Sequence, residues 1–146
     1  MMNILVINGP NLNLLGEREP EIYGRNTLEE LMMWLEKSPE ATGHYFKFYQ
    51  SNHEGEIINT IHDERHWADG IIINPAAFSH YSYAIRDAIS AVAIPTVEVH
   101  LSDIHHREEF RQMSVISKVC IDQISGLGKD SYREGLKVLL EQISEV

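Results

Sequence analysis

The sequence predicts an α/β fold: a three-layer sandwich around a five-stranded parallel, doubly wound sheet. Short apolar runs rich in β-branched residues alternate along the chain with segments whose apolar residues recur at helical spacing. Strands that alternate with helices form βαβ units, and right-handed crossovers place helices on both faces of the sheet. With 146 residues, the chain is expected to be one domain, 1–146, too short for an eight-stranded α/β barrel of about 250 residues.

Five segments are predicted strands. Ile4–Ile7 is a continuous apolar run that ends at the turn signal Asn8-Gly9-Pro10, and Gly70–Asn74 is a clearer run that ends at Pro75. Continuous apolar runs are typical of parallel strands buried on both faces. The other predicted strands are Tyr45–Tyr49, Thr96–Val99 and a fifth strand near Lys118–Ile124.

Four helices are predicted between and after these strands. Thr27 and Glu30 have capping-box spacing at the start of the first, and Ser131 and Glu134 repeat that spacing near the C-terminus. The helix after the third strand is expected to begin near Ser79, where its free N–H groups could face an anion. The remaining helix contains Ile57, Ile58 and Ile61.

Composition narrows the possible partners and location. Twelve Lys and Arg against 22 Asp and Glu give a formal charge of −10, which disfavours nucleic acid or an anionic membrane because both require a basic face. No Lys or Arg precedes Arg18 and no apolar run approaches a membrane span of about 20 residues. We therefore expect a cytoplasmic protein, in which the lone Cys120 is a small buried apolar residue.

The carboxyl ends of the strands are where an open α/β sheet binds ligands. The loop from Asn8 to Gly24 is much longer than the usual 2–6 residues and contains Leu14, Leu15 and Ile22. This apolar content favours a lid over a merely solvated loop. The third strand ends in small residues, including Ala76, that permit a close approach of the backbone to a ligand.

The fourth strand ends in Glu98 and His100, which strand alternation places on one face, so that the carboxylate can orient the imidazole. Such a pair is more often structural than catalytic, but its place at a strand end favours catalysis. A metal site is disfavoured because His105 and His106 are neighbours that do not converge. A nucleotide site lacks a glycine-rich phosphate loop, and Asn74 stands where a phospho-relay receiver domain needs an aspartate.

Several of these segments resemble those of type II 3-dehydroquinate dehydratases, in the same order and over essentially the whole chain. The resemblance rests on Asn8–Gly16 with Arg18-Glu19-Pro20 and Tyr23-Gly24, on Gln50–Gly55, on Asn74–Ala77, on His80 with Arg86-Asp87-Ala88, on Glu98–Ser102 and on Arg107–Arg111.

The resemblance implies a flavodoxin-like fold and a lyase that removes water from 3-dehydroquinate to give 3-dehydroshikimate. This reaction serves the shikimate route to aromatic compounds or the breakdown of quinate. The family uses no metal and no organic cofactor, and its members form trimers that pack into a dodecamer, so a homo-oligomer is expected. The alternative that the residues leave open is a non-enzymatic flavodoxin-like module that binds a small anion or a nucleotide.

The resemblance also implies the catalytic residues. Tyr23 on the lid is expected to be the base that removes a proton next to the ketone. A phenol has an ordinary pKa of about 10 and is mostly protonated at neutral pH, so a base of this kind needs a neighbouring group that stabilises the phenolate. Arg18 matches the arginine that has this role in the family. Asn11 is expected to hold an ordered water that stabilises the enolate, helped by backbone around Pro10 and Ala77. His100, oriented by Glu98, is expected to protonate the departing hydroxyl.

The remaining matched residues are expected to bind substrate. The expected carboxylate contacts are Asn74 and the backbone of Leu101 and Ser102. His80, Arg111 and Asp87 are expected to hold the ring hydroxyls, with Asp87 coming from a neighbouring subunit. A local cluster that includes Arg18 and Arg111 makes a small anionic substrate compatible with the negative net charge, because binding is decided at the cleft.

Overall fold

A computed structural model describes residues 1–17 and 19–144. Five parallel strands form one sheet: β1 (Asn3–Asn8), β2 (Tyr45–Gln50), β3 (Gly70–Asn74), β4 (Thr96–His100) and β5 (Asp122–Ser125). Their spatial order is β2-β1-β3-β4-β5, which is the order of flavodoxin-like sheets. The predicted parallel α/β fold is confirmed.

Helices cover both faces of the sheet. Helices α2 (Leu28–Glu36) and α5 (Asp130–Ser144) cover one face, and α3 (Glu54–Asp63) and α4 (Tyr83–Val92) cover the other. The short α1 (Pro20–Tyr23) lies in the loop after β1. One apolar core lies between the sheet and helices α2 and α5, and the other lies between the sheet and helices α3 and α4. Along β1, Ile4 and Val6 enter the first core while Leu5 and Ile7 enter the second, as the period of two in a strand requires. No described helix is long and apolar enough to cross a membrane.

Register brings the strand ends into one row. Asn8, the last residue of β1, pairs with Gln50 of β2 on one side and with Asn74 of β3 on the other. Three polar side chains therefore meet at the carboxyl edge of the sheet, and β4 ends beside them at His100.

Two predicted boundaries are wrong. A 3₁₀ turn, Ala76–His80, occupies the predicted start of α4, which begins instead at Tyr83 with Ser82 as its cap. The first amides of α4 therefore do not follow β3 directly, as the predicted start near Ser79 requires. Strand β5 begins at Asp122, because residues 117–119 form another 3₁₀ turn.

The second predicted capping box is also wrong, whereas the first, between Thr27 and Glu30, is confirmed. Helix α5 begins at Asp130, and the Ser131 hydroxyl accepts a hydrogen bond from the Leu127 amide. The hydroxyl thus serves the preceding turn rather than the helix. Cys120 is half-buried against the α3–α4 core, where burial raises the pKa of its thiol to about 12.

Gly135 allows α5 to pack closely on β4. A Cβ at this position would lie 2.7 Å from Cγ1 of Val99, and the β-branched valine has little freedom to move. Gly135→Ala is expected to destabilise the fold by about 1–2 kcal/mol, because overpacking outweighs the gain in helix propensity.

Gly55→Ala is the matched control for this prediction. Gly55 lies in α3, and a Cβ added there would meet none of the described atoms within 4 Å, so the same change should stabilise by about 0.5–1 kcal/mol. Urea unfolding measures both. Equal effects of the two substitutions would contradict the packing explanation.

Candidate active site

One cleft lies beyond the carboxyl ends of β1, β3 and β4, at the edge of the sheet where a site is predicted. Its walls come from the loop after β1, the 3₁₀ turn after β3 and the loop after β4. The lining residues are Pro10, Asn11, Leu12, Tyr23, Asn74, Ala76, Ala77, His80, His100, Leu101, Ser102, Ile104, Arg107 and Arg111. Eight of the predicted site residues are therefore brought together: Asn11, Tyr23, Asn74, His80, His100, Leu101, Ser102 and Arg111.

Glu98 stands behind His100 rather than in the wall of the cleft. Its Oε2 lies 2.5 Å from Nε2 of His100, and both residues are buried. Ser114 donates to Oε1 of the carboxylate at 2.9 Å, and Gln123 donates to Oε2 at 3.2 Å. These bonds hold a buried carboxylate in place, and a buried carboxylate needs such partners. With Nε2 occupied, Nδ1 is the ring nitrogen of His100 left for a ligand.

Tyr23 lies at the end of α1 and is half-buried at the mouth of the cleft. Nη1 of Arg107 donates to its hydroxyl oxygen at 2.6 Å, and the guanidinium lies 5.3 Å from the ring centroid. Arg107 also reaches the Ser102 hydroxyl, at 3.4 Å. A guanidinium in this position stabilises negative charge on the phenol oxygen. Arg18, the arginine expected in this role, lies outside the described residues.

Arg107 is a functional candidate to which the sequence alone assigns no role. It occurs in the matched segment Arg107–Arg111, in which only Arg111 is a predicted site residue. The folded chain places both arginines in the lining of the cleft. Arg111 is held by Glu108, whose Oε2 accepts from its Nε at 2.6 Å. The cleft is thus lined by two guanidinium groups in a chain of charge −10, and such groups attract an anion locally whatever the net charge of the protein.

Asn11 has a left-handed backbone, with φ at 69°. Its amide N–H donates to Oδ1 of Asn52 at 3.0 Å. Gln50 donates to the same Oδ1 at 3.1 Å and to the Gly9 carbonyl, also at 3.1 Å. Gln50 at the end of β2 and Asn52 just after it therefore fix the conformation of the loop after β1. The sequence alone does not predict this role.

His80 is fixed in one tautomer. Its Nδ1 lies 2.7 Å from the backbone carbonyl oxygen of Met113, and because a carbonyl only accepts, Nδ1 carries the proton. Burial lowers the pKa of His80, which favours the neutral ring at pH 7. Nε2 is then an acceptor, suited to a hydroxyl group of a ligand.

Ala76 lines the cleft in a strained conformation. Its φ is 51°, in the left-handed region that costs a non-glycine residue about 1–2 kcal/mol. Its N–H donates to Oδ1 of Asn74 at 3.1 Å, and this bond helps to hold the turn. Strain of this kind is often found at functional sites.

Ala76→Gly is expected to stabilise the protein by about 0.5–1 kcal/mol, because relief of the strain exceeds the extra entropy that glycine loses on folding. Ala77→Gly is the control, since the neighbouring residue does not have a positive φ and should lose stability by a similar amount. Thermal unfolding of the two variants tests this. A destabilised Ala76→Gly variant would show that the turn is not strained.

Asp87 is the predicted site residue that the chain does not bring to its own cleft. It lies exposed on α4 and is not among the lining residues. Its expected contribution to a neighbouring subunit's cleft remains a prediction.

The fold and the cleft define an α/β protein with a small site lined by a phenol and by an imidazole that a buried carboxylate holds from behind. Residues 2–140 match the family model described as Dehydroquinase class II. The chain is 56% identical to the 3-dehydroquinate dehydratase of Carboxydothermus hydrogenoformans, over 97% of this chain and 92% of that protein. It is 53% identical to that of Bacillus licheniformis, over 91% and 92% of the two chains.

Solved structures agree with the sequence comparison. The type II dehydroquinase from Butyrivibrio crossotus superposes with a TM-score of 0.92 at 48% identity, over 95% of this chain and 97% of that one. The chain belongs to the class II dehydroquinase family, and the resemblance read from its sequence motifs is confirmed. It is therefore an enzyme of the type II 3-dehydroquinate dehydratase class, whose members are lyases.

Proposed function

We propose that this cleft eliminates water from 3-dehydroquinate to give 3-dehydroshikimate, as a step of the shikimate pathway to aromatic amino acids. The observation that carries the proposal is the Arg107–Tyr23 contact in the same cleft as the His100–Glu98 pair. A stabilised phenol oxygen and an oriented imidazole are the base and the acid that an elimination next to a ketone requires.

Tyr23 is the base. Its phenolate oxygen takes the proton from the carbon next to the ketone, and the electron pair of the broken C–H bond moves into the enolate. Arg107 donates to this oxygen and so stabilises the charged form of the base. Arg18, which precedes Tyr23 by five residues in the sequence, is proposed to stabilise the phenolate as well.

The enolate oxygen needs hydrogen bond donors that are already in place. We assign this role to a water held by Asn11, with backbone groups around Pro10 and Ala77. The bonds from Gln50 and to Asn52 fix the loop that contains Asn11, so the donor is held before charge develops.

His100 is the acid. As the enolate collapses to the conjugated double bond, the carbon–oxygen bond breaks and Nδ1 of His100 protonates the departing hydroxyl, which leaves as water. Glu98 holds the ring through Nε2, which leaves Nδ1 for the departing hydroxyl. The proton that Tyr23 gained then returns to His100 through solvent, so the cycle closes.

The other lining residues bind the substrate. Asn74 and the backbone of Leu101 and Ser102 are proposed to hold the carboxylate. The neutral His80 accepts from one ring hydroxyl, and Arg111 donates to another. Asp87 of a second subunit completes the site in a homo-oligomer, proposed as a dodecamer built from trimers. We expect the enzyme to work in the cytoplasm without metal or organic cofactor.

The test is to mix the protein with 3-dehydroquinate and follow the near-ultraviolet absorbance of the conjugated enone product. Absorbance should rise with catalytic turnover. The alternative, a module that binds a small anion or nucleotide without catalysis, predicts no rise and an increase in melting temperature with nucleotides. A folded, oligomeric sample that gives this second pattern would refute the proposed function.

A further inference from the structure

We infer that Tyr132 is a positioning residue for substrate binding, through a buried relay of hydrogen bonds that sets which atom of the Asn74 amide faces the cleft. The inference rests on the proposed function, because it concerns the carboxylate contact assigned to Asn74. Tyr132 lies in α5, outside the lining of the cleft, and nothing in the catalytic assignment uses it.

Tyr132 is fully buried at the carboxyl edge of the sheet. Its hydroxyl donates to Oδ1 of Asn8 at 2.6 Å and accepts from Nδ2 of Asn74 at 2.9 Å. Burial raises the pKa of Tyr132, so the hydroxyl keeps its proton and remains a donor. The helix thus supplies the bridge between the last residues of β1 and β3.

Backbone groups fix the direction of the relay at both ends. At one end, Nδ2 of Asn8 donates to the carbonyl oxygen of Tyr49 at 3.4 Å, and a carbonyl can only accept. Oδ1 of Asn8 must therefore face Tyr132 and accept the hydrogen bond from its hydroxyl. At the other end, the Ala76 N–H, which can only donate, points at Oδ1 of Asn74.

These constraints leave one orientation for the Asn74 amide. Oδ1 faces Ala76 and one Nδ2 proton goes to Tyr132, so the second Nδ2 proton remains for the cleft that Asn74 lines. An N–H donor attracts a carboxylate, whereas the oxygen of a flipped amide would repel it. Tyr132 thus favours binding of an anionic group without touching it.

Tyr132→Phe tests the inference. Without the hydroxyl, the Asn74 amide loses its acceptor and keeps the bond from the Ala76 N–H, so it is held less firmly. We therefore expect KM for 3-dehydroquinate to rise about 10-fold while kcat changes by less than about 3-fold, the pattern expected when substrate and transition state lose the same binding contact. Leu139→Ala is the control for stability, since Leu139 is fully buried in the same helix near Gly70, at the opposite edge of the sheet. It should lower the melting temperature and leave KM unchanged.

A double-mutant cycle with Asn74→Ala separates positioning from general damage. If Tyr132 acts through Asn74, Tyr132→Phe has no further effect on KM in the Asn74→Ala background. The inference would be overturned if the KM increases of the two single variants multiplied in the double variant. It would also be overturned if Tyr132→Phe lowered the melting temperature and left KM unchanged.

A measurement that does not depend on catalysis tests the relay separately from the proposed function. In ¹⁵N-labelled protein, the side-chain amide proton of Asn74 that is bonded to Tyr132 should exchange slowly with solvent in the wild type and quickly in Tyr132→Phe. Failure of the wild type to convert 3-dehydroquinate would refute the proposed function, whereas equal exchange rates in the two proteins would refute the relay.

Discussion

Tyr23→Phe is expected to lower kcat by about 10³-fold or more, with the affinity for 3-dehydroquinate changed only a few-fold. Loss of a positioned base removes about 10²–10⁴-fold in rate, and phenylalanine has no oxygen to take the proton. The ring itself remains at the mouth of the cleft, and the proposed carboxylate and hydroxyl contacts are intact. Turnover is measured by product absorbance and binding by calorimetry.

Tyr45→Phe is the control for this prediction. Tyr45 is an exposed residue at the start of β2, outside the cleft lining, so the same loss of a hydroxyl should leave kcat and KM unchanged. Near-normal kcat in Tyr23→Phe would show that another group removes the proton.

His100→Gln is expected to lower kcat by about 10²–10³-fold, since glutamine cannot transfer a proton at neutral pH. Its amide can still donate to Glu98, which keeps its bonds from Ser114 and Gln123, so the buried carboxylate does not lose all its partners. The protein should therefore fold. Steady-state kinetics and thermal unfolding on the same sample measure both effects.

The matched control is His105→Gln, the same change at an exposed histidine of the following 3₁₀ turn. It should have no effect on kcat. An equal loss in the two variants, or activity retained in His100→Gln, would contradict the assignment of the acid.

Much of this site could be predicted because its residues lie at strand ends, and strand ends follow from local apolar patterns. Glu98 and His100 share a face by simple alternation, and the structure places them 2.5 Å apart. Asn74 follows a run of buried isoleucines and ends at the cleft as expected.

Contacts between distant segments could not be predicted in this way. Arg107 and Tyr23 are 84 positions apart, and their meeting depends on how the loop after β4 folds over the loop after β1. The same limit applies to Tyr132, which joins Asn8 and Asn74 only because α5 packs against the sheet. Sequence spacing carries no signal for either contact.

The misplaced start of α4 has a local cause. The helix is predicted to begin near Ser79, but residues 76–80 form a 3₁₀ turn, in which the Phe78 amide donates to the Pro75 carbonyl and the Tyr81 amide donates to the Phe78 carbonyl. Ala76 adopts a positive φ at the start of this turn. Ser82 then caps the helix, and its hydroxyl accepts from the Ile85 amide. The cleft therefore gains a strained turn in place of a helix N-terminus.

Hydrogen–deuterium exchange of the substrate tests the central claim most directly, because it separates the base from the acid. In D₂O, the His100→Gln variant should introduce deuterium at the carbon next to the ketone of recovered 3-dehydroquinate, since Tyr23 still removes that proton while elimination is slowed by the loss of the acid. The double variant Tyr23→Phe, His100→Gln should introduce none, as measured by mass spectrometry. Exchange that persists in the double variant would contradict the assignment of Tyr23 as the base.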